Sequence, residues 1–175
     1  MSISAHLTPE PERRLWLIHE SMGRSVERAD WKIAALTAFA AAELAFIPPA
    51  APAGAAGFFA VAALAAALPI GVFAFSPLTR LPKWLSFLDP PKDKPVVGDC
   101  LILAEDLARY TRDELIFRLD KYLGGGITAT PYYEDIVIQI VDNAMIAVRK
   151  QRLLRVVCAV IGASQLGLLA RLICR

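Results

Sequence analysis

LAFIPPAAPAGAAGFFAVAALAAALPIGVFAFSPLT, from Leu44 to Thr79, holds no charged side chain. A helix needs about 20 apolar residues to cross ~30 Å of hydrocarbon, so the run is longer than one crossing requires. Pro48, Pro49 and Pro52 interrupt it near its start. It therefore reads as the top of a membrane hairpin: the end of one span, a tight proline turn, then a complete second span over residues 53–76. Pro69 lies inside that second span, where a helix breaker is tolerated because neighbouring groups re-satisfy the freed backbone.

Upstream, Thr8-Pro9-Glu10 opens a helix with a hydroxyl cap, a proline at the first helical position and acids near the positive end of the dipole. Leu15, Ile18, Met22 and Val26 recur at three- and four-residue steps, and no breaker separates this stripe from Trp31. One helix is expected from about Pro9 to Ile47, with residues 1–30 in the cytosol and residues 31–48 as the first span. The apolar part, Ile33 to Ile47, is only ~22 Å long at 1.5 Å per residue. Trp31 at the interface and a snorkelling Lys32 lengthen it.

Downstream, Arg80, Lys83 and Trp84 mark the exit of the second span. Pro90, Pro91 and Pro95, with Lys92, Asp93 and Lys94 between them, form a polar linker, and Val96-Val97-Gly98-Asp99 a tight junction. Cys100 to Tyr110 is expected as a short helix. Thr111 and Glu114 make a capping box that opens another helix to about Leu123. Gly124-Gly125-Gly126 stops it, and a helix stop explains these glycines better than a phosphate loop, since no Lys-Ser/Thr follows. Thr130-Pro131 starts the last helix. Arg149, Lys150, Arg152 and Arg155 crowd one boundary, and residues 156–174 form a third span.

The fold class read from this pattern is an all-α membrane protein. Three transmembrane helices, two of them a proline-turn hairpin and one C-terminal, carry a small helical cytosolic module over residues 80–155. Five basic residues lie at or before Lys32, twelve between Arg80 and Arg155, none in the hairpin turn and two after Ala170. Basic residues favour the cytosolic side, which puts the N-terminus and the middle module there. A cleavable signal peptide does not fit, because the first apolar run begins near residue 31 behind mixed charge.

The chain has 175 residues, 56% of them hydrophobic, against about 45–50% for soluble domains. Its net charge of +2 is too small to argue for a nucleic acid polymer as partner. Cys100, Cys158 and Cys174 show no paired spacing and read as buried thiols in a reducing or lipid setting. His6 and His19 have no neighbouring ligand residues, so no metal is expected. No nucleophile–base pair or paired carboxylates suggest an enzyme.

Glu43 is the anomaly of the first span, because intramembrane acids are costly and are functional candidates by default. It lies twelve residues past Trp31, and Gln165 lies ten past Arg155. Both are ~15–18 Å from the cytosolic boundary by helical rise, so they can meet. The pair reads either as a polar latch or pore-lining carboxylate, or as a neutral Glu held by one hydrogen bond. Ala34, Ala38 and Ala42, and Ala159, Ala163 and Gly167, form small-residue rows of the kind that lets helices approach closely in lipid.

Arg28-Ala29-Asp30-Trp31-Lys32 resembles the R-x-D-x-K element of the membrane effectors of the Pycsar antiphage system. Gly98-Asp99 after an apolar pair is similar to that family's apolar-x-G-D junction. Gln139-Ile140, Asn143, Ile146-Ala147, Arg149-Lys150 and Arg152 resemble its run into the last span. The resemblance implies a non-enzymatic effector of the bacterial inner membrane without a cofactor. A partner pyrimidine nucleotide cyclase would make cyclic CMP or cyclic UMP on infection, and the effector, as a homo-oligomer in the lipid bilayer, would then impair the membrane and abort the infection. Arg28, Asp30, Lys32, Gly98, Asp99, Gln139, Asn143 and Lys150 are the functional positions it implies, with Lys32 and Lys150 reading a phosphate or anchoring in headgroups. Asp30 is placed to pair with Arg149 or Lys150. The alternative is a structural subunit of a membrane complex that needs no ligand.

Overall fold

The computed structural model describes residues 10–47, 54–76, 78–79, 82–90, 96, 98–123 and 131–173. Among them every regular element is helical. These are α1 (Glu10–Phe46), α2 (Ala55–Ala74), a short 3-10 helix (Lys83–Leu88), α3 (Ala104–Leu107), α4 (Arg112–Leu123) and α5 (Pro131–Ile173). By length and composition α2 and α5 can cross a membrane, each holding an 18-residue stretch of mean hydropathy 2.2 and 1.9 respectively. The apolar half of α1 is shorter and interrupted by Glu43. The proline turn, the charged part of the 90–95 linker and the triglycine loop lie outside the described residues.

The chain packs as two units, one of Met1–Val26 with Leu81–Arg149, the other of Glu27–Arg80 with Lys150–Arg175. In the first, Leu15 and Met22 of α1 meet Leu107 of α3, Leu115 and Leu119 of α4, and Tyr133, Ile136, Val137, Ile140 and Ala144 of α5. Each stripe recurs at helical spacing, so burying one side chain aligns the next, and each fully buried leucine contributes about 1.5–3 kcal/mol. Leu85 and Leu88 of the 3-10 helix are also buried.

The helix expected over Cys100–Tyr110 is corrected to the single turn of α3. Cys100 to Leu103 instead forms a turn, with Leu103 N donating to Cys100 O at 3.2 Å. The Asp106 carboxylate accepts from Cys100 N at 3.0 Å, drawing the chain back before α3 begins.

The capping box of α4 is formed. Thr111 N donates to Glu114 Oε2 at 3.0 Å, and Glu114 N donates to Thr111 Oγ1 at 3.4 Å. The Thr111 backbone bond first, and the Thr111 hydroxyl donating to Glu114 Oε2 at 2.8 Å second, hold the Glu114 carboxyl below its usual range. A lowered carboxyl stabilises the fold above its unfolded pKa and ceases to do so as pH falls through the folded one. Thr111→Ala is therefore expected to cost about 0.5–2 kcal/mol at neutral pH, and the difference from the parent should shrink below the ordinary Glu range. Thermal unfolding of the full chain in detergent at neutral and strongly acidic pH checks this. A difference that is the same at both would remove the bond from the Thr111 hydroxyl to the Glu114 carboxylate from the account.

In the second unit, Ala40 of α1, Leu64 and Ala67 of α2, and Val157 and Ile161 of α5 share a core. The buried row of α2 is Gly57, Ala60, Leu64, Ala67, Gly71 and Ala74, small residues at three- and four-residue spacing. A Cβ on Gly71 would lie 2.1 Å from Thr37 Oγ1, and one on Gly167 would lie 3.2 Å from Ala60 Cβ. So α2 meets α1 along one part of this row and α5 along another. The rows singled out in the sequence are corrected: Ala38, Ala42, Ala159 and Ala163 are exposed and Ala34 is partly buried, while Gly167 makes a close approach. α2 packs against both partners, so the small face that lets backbones approach is needed on α2.

The expectation of buried thiols is also corrected, since Cys100 and Cys158 are both exposed. Cys158 follows the fully buried Val157, and one helical step of 100° turns it off the core. Cys174 lies outside the described residues.

Candidate functional site

In the first unit the Gly98-Asp99 junction is a side-chain clamp. Asp99 Oδ2 accepts from Val96 N at 2.7 Å and from the Tyr110 hydroxyl at 3.1 Å. Arg118 of α4 reaches the same loop, donating from Nη1 to Val96 O at 2.9 Å and from Nη2 to Asp99 O at 3.0 Å. Its guanidinium sits 5.0 Å above the Tyr110 ring and 3.9 Å from Asp99 Oδ2. The two charged side chains are 13% and 8% exposed, so their charges are largely withdrawn from water and satisfied by each other and the loop. Gly98 has an ordinary backbone, and a Cβ there would meet open space.

Arg118 was not singled out in the sequence. A lone arginine on an amphipathic helix carries no signal that it will reach two backbone carbonyls far away in sequence. Tyr110, just before the capping box, was equally silent.

Gln139 lies on α5, where His19 Nε2 and Gln139 Oε1 are 3.1 Å apart. The Trp16 ring meets His19 edge-on at 5.4 Å between centroids. Asn143, one turn beyond Gln139, is partly buried. Tyr133 is buried nearer the start of α5, and this burial, with the Asp120 charge second, pushes its hydroxyl above the usual range. Arg149 is not the partner of Asp30. Its Nε donates to Asp89 Oδ1 at 2.9 Å, and its Nη2 lies 2.7 Å from the same oxygen. Asp89 was not singled out in the sequence. Its only mark there is its position at the edge of the proline linker.

In the second unit Lys150 Nζ is bound to Asp30 Oδ1. Lys150 is 7% exposed and Asp30 31%, so the ammonium is the more deeply buried partner. The headgroup role for Lys150 gives way to this bond, because a nearly buried ammonium holding a carboxylate has little surface left for lipid. Arg28 and Lys32 are exposed on α1. They bracket Asp30 without sharing its bond, so the R-x-D-x-K element contains one internal clamp and two outward cations.

Farther along the same helices Gln165 Nε2 donates to Glu43 Oε1 at 2.5 Å and to Oε2 at 2.6 Å. Both side chains are partly buried. Two other polar side chains in this unit close on backbone: Thr37 Oγ1 on Ile33 O at 2.8 Å, and the fully buried Ser164 Oγ on Ala60 O at 2.9 Å. Asp30–Lys150 and Glu43–Gln165 both join α1 to α5, which therefore run side by side and parallel within this unit.

The implied positions thus divide between two units. Asp99 is an internal staple of one and Lys150 with Asp30 an internal bond of the other. Gln139 engages His19, while Arg28, Lys32 and Gly98 face outward. A family model described as the PycTM, or Pycsar effector protein, domain matches residues 14–174. Neither a curated protein nor a solved structure matches the chain significantly.

Proposed function

Because the chain belongs to the Pycsar effector family, we propose that it is a non-enzymatic effector of antiphage defence that acts at the bacterial inner membrane. On infection a partner pyrimidine nucleotide cyclase makes cyclic CMP or cyclic UMP. The helical module of the first unit responds to the nucleotide, oligomers of the chain impair the bilayer, and the cell dies before phage mature. The N-terminus and the module face the cytosol, where the nucleotide is made.

The observation that carries this reading is the family match over residues 14–174. Two features support it. α2 and α5 have the length and apolarity of membrane spans. α1 and α5 each contribute residues to both units. A nucleotide shifts the protein only by as much as it binds one arrangement better than another.

A membrane-potential dye tests this in cells that make the full chain, supplied with cyclic CMP, cyclic UMP or neither. Depolarisation with one of the two nucleotides, and not without, is expected. If the chain floats with the membrane fraction and neither nucleotide changes the dye signal, a structural subunit without a ligand replaces the effector reading.

A further inference from the structure

Arg28, Lys32, Ala35, Phe39, Ala42 and Phe46 follow one another along α1 at steps of four and three residues. At 100° per residue those steps keep them within about 80° of arc. All six are exposed. Ala29, Ile33 and Ala40, on the other side of the helix, are buried, and Asp30 turns the same way to reach Lys150. The line is therefore an outer face of the second unit, cationic at one end and apolar over the rest.

Arg28 and Lys32 stand one helical turn apart, and neither bonds a carboxylate among the described residues. Asp30 is taken by Lys150, and Glu27 lies about 100° round the helix from Arg28. Trp31 is exposed beside the two cations, and an indole favours the boundary between headgroups and hydrocarbon. One leaflet holds half of a ~30 Å hydrocarbon core, which is about ten residues of helix, the distance from Lys32 to Ala42.

The two ends of this line ask for different things. An ion from the aqueous phase answers the cations and leaves Phe39 bare. A plain hydrocarbon chain covers Phe39 and leaves the cations bare. A phosphate joined to a hydrocarbon chain matches both, and guanidinium and ammonium groups make charge-assisted bonds to phosphate oxygens. Phosphatidylethanolamine carries an ammonium of its own next to its phosphate, so it adds a third cation to the two already there. A headgroup of net negative charge does not.

We propose that this face of α1 binds an anionic phospholipid, with the phosphate between Arg28 and Lys32 and the acyl chain along Ala35, Phe39 and Ala42. This rests on the membrane placement proposed above and not on the identity of the activating nucleotide. The Arg28–Lys32 segment then has two duties on opposite sides of one helix: Asp30 joins α1 to α5, and the two cations join α1 to its lipid.

The test reads the lipid neighbours of Trp31. The full chain is reconstituted in vesicles of phosphatidylethanolamine and phosphatidylglycerol at one fixed ratio. The same fraction of all lipid is brominated, carried in one set by phosphatidylethanolamine and in the other by phosphatidylglycerol. Quenching of Trp31 is the difference between the parent and Trp31→Phe, a conservative change at an exposed side chain. Each cation near an anionic surface favours it about fivefold, so bromine on phosphatidylglycerol is expected to associate with Trp31 several-fold more strongly. Arg28→Gln/Lys32→Gln should bring the two lipids to equality. Arg13→Gln/Lys121→Gln removes the same charge from exposed positions off the line and should keep the preference. Equal quenching by the two brominated lipids in the parent overturns the site. A preference that survives in Arg28→Gln/Lys32→Gln overturns it too. Protein that does not float with the vesicles overturns the membrane placement itself, and the site with it.

Discussion

Asp30→Ala is expected to destabilise the chain by about 3–5 kcal/mol, and Lys150→Met by clearly less. The asymmetry follows from burial: Lys150 is 7% exposed and Asp30 31%. Removing the carboxylate strands an ammonium that water barely reaches, and a stranded buried charge is the costly outcome of breaking an ion pair. Removing the ammonium leaves a carboxylate that water can rehydrate, while the methionine keeps most of the apolar volume of the lysine stem. The double variant Asp30→Ala/Lys150→Met should then be close to Lys150→Met alone, because it leaves no stranded charge. A coupling of more than about 1 kcal/mol is expected from the cycle. Thermal unfolding of the four proteins in one detergent measures it, and a loss of roughly 2–4 °C per kcal/mol sets the scale for a chain near this size. Equal costs for the two single variants, with no coupling, would reduce the bond to an ordinary surface pair.

That bond also shows what could be read in advance. Asp30 and Lys150 each stand where a helix stripe passes from charged to apolar residues, so both belong at the same boundary. Glu43 and Gln165 were legible for a similar reason, since counting residues from that boundary gives each a depth. Helical rise is a local property, and it converts sequence distance into length without knowledge of the fold. The capping box and the start of α4 were legible because their partners are three residues apart.

The partner choices that long loops decide were not legible. Arg149 takes Asp89, and Arg118 takes the Val96–Asp99 loop, because turns of irregular geometry bring them there. No periodicity encodes such turns. The packed row of α2 was also hidden. In a helix built mostly of alanine, glycine and other apolar residues every face looks alike, and the partner helices choose the buried one. Apolarity alone placed Cys158 inside, whereas the step past Val157 turns it out.

Asp99→Ala should cost about 2–4 kcal/mol, whereas Gly98→Ala in the same motif should be nearly neutral. The Asp99 carboxylate takes the Val96 amide, takes the Tyr110 hydroxyl and faces Arg118. Without it, the Val96 amide loses its acceptor, the Tyr110 hydroxyl keeps only Val96 O at 3.3 Å, and a guanidinium only 13% exposed loses a counter-charge. Asp99→Asn keeps an oxygen for one of those donors and should recover part of the loss, though not the charge. Gly98 has no comparable structural duty, since its backbone is ordinary and open space surrounds the position of a Cβ. A motif whose two residues differ this much in structural weight separates folding from ligand contact. The full-length variants are compared by unfolding in detergent and by the membrane-potential response to cyclic CMP and cyclic UMP. For Asp99→Ala the response should be lost together with stability, and Asp99→Asn should restore part of both. An Asp99→Ala protein that unfolds at the parent temperature yet no longer responds would sink the staple and place Asp99 against the nucleotide. A Gly98→Ala protein of unchanged stability that no longer responds would show that a ligand must approach the backbone where glycine leaves room.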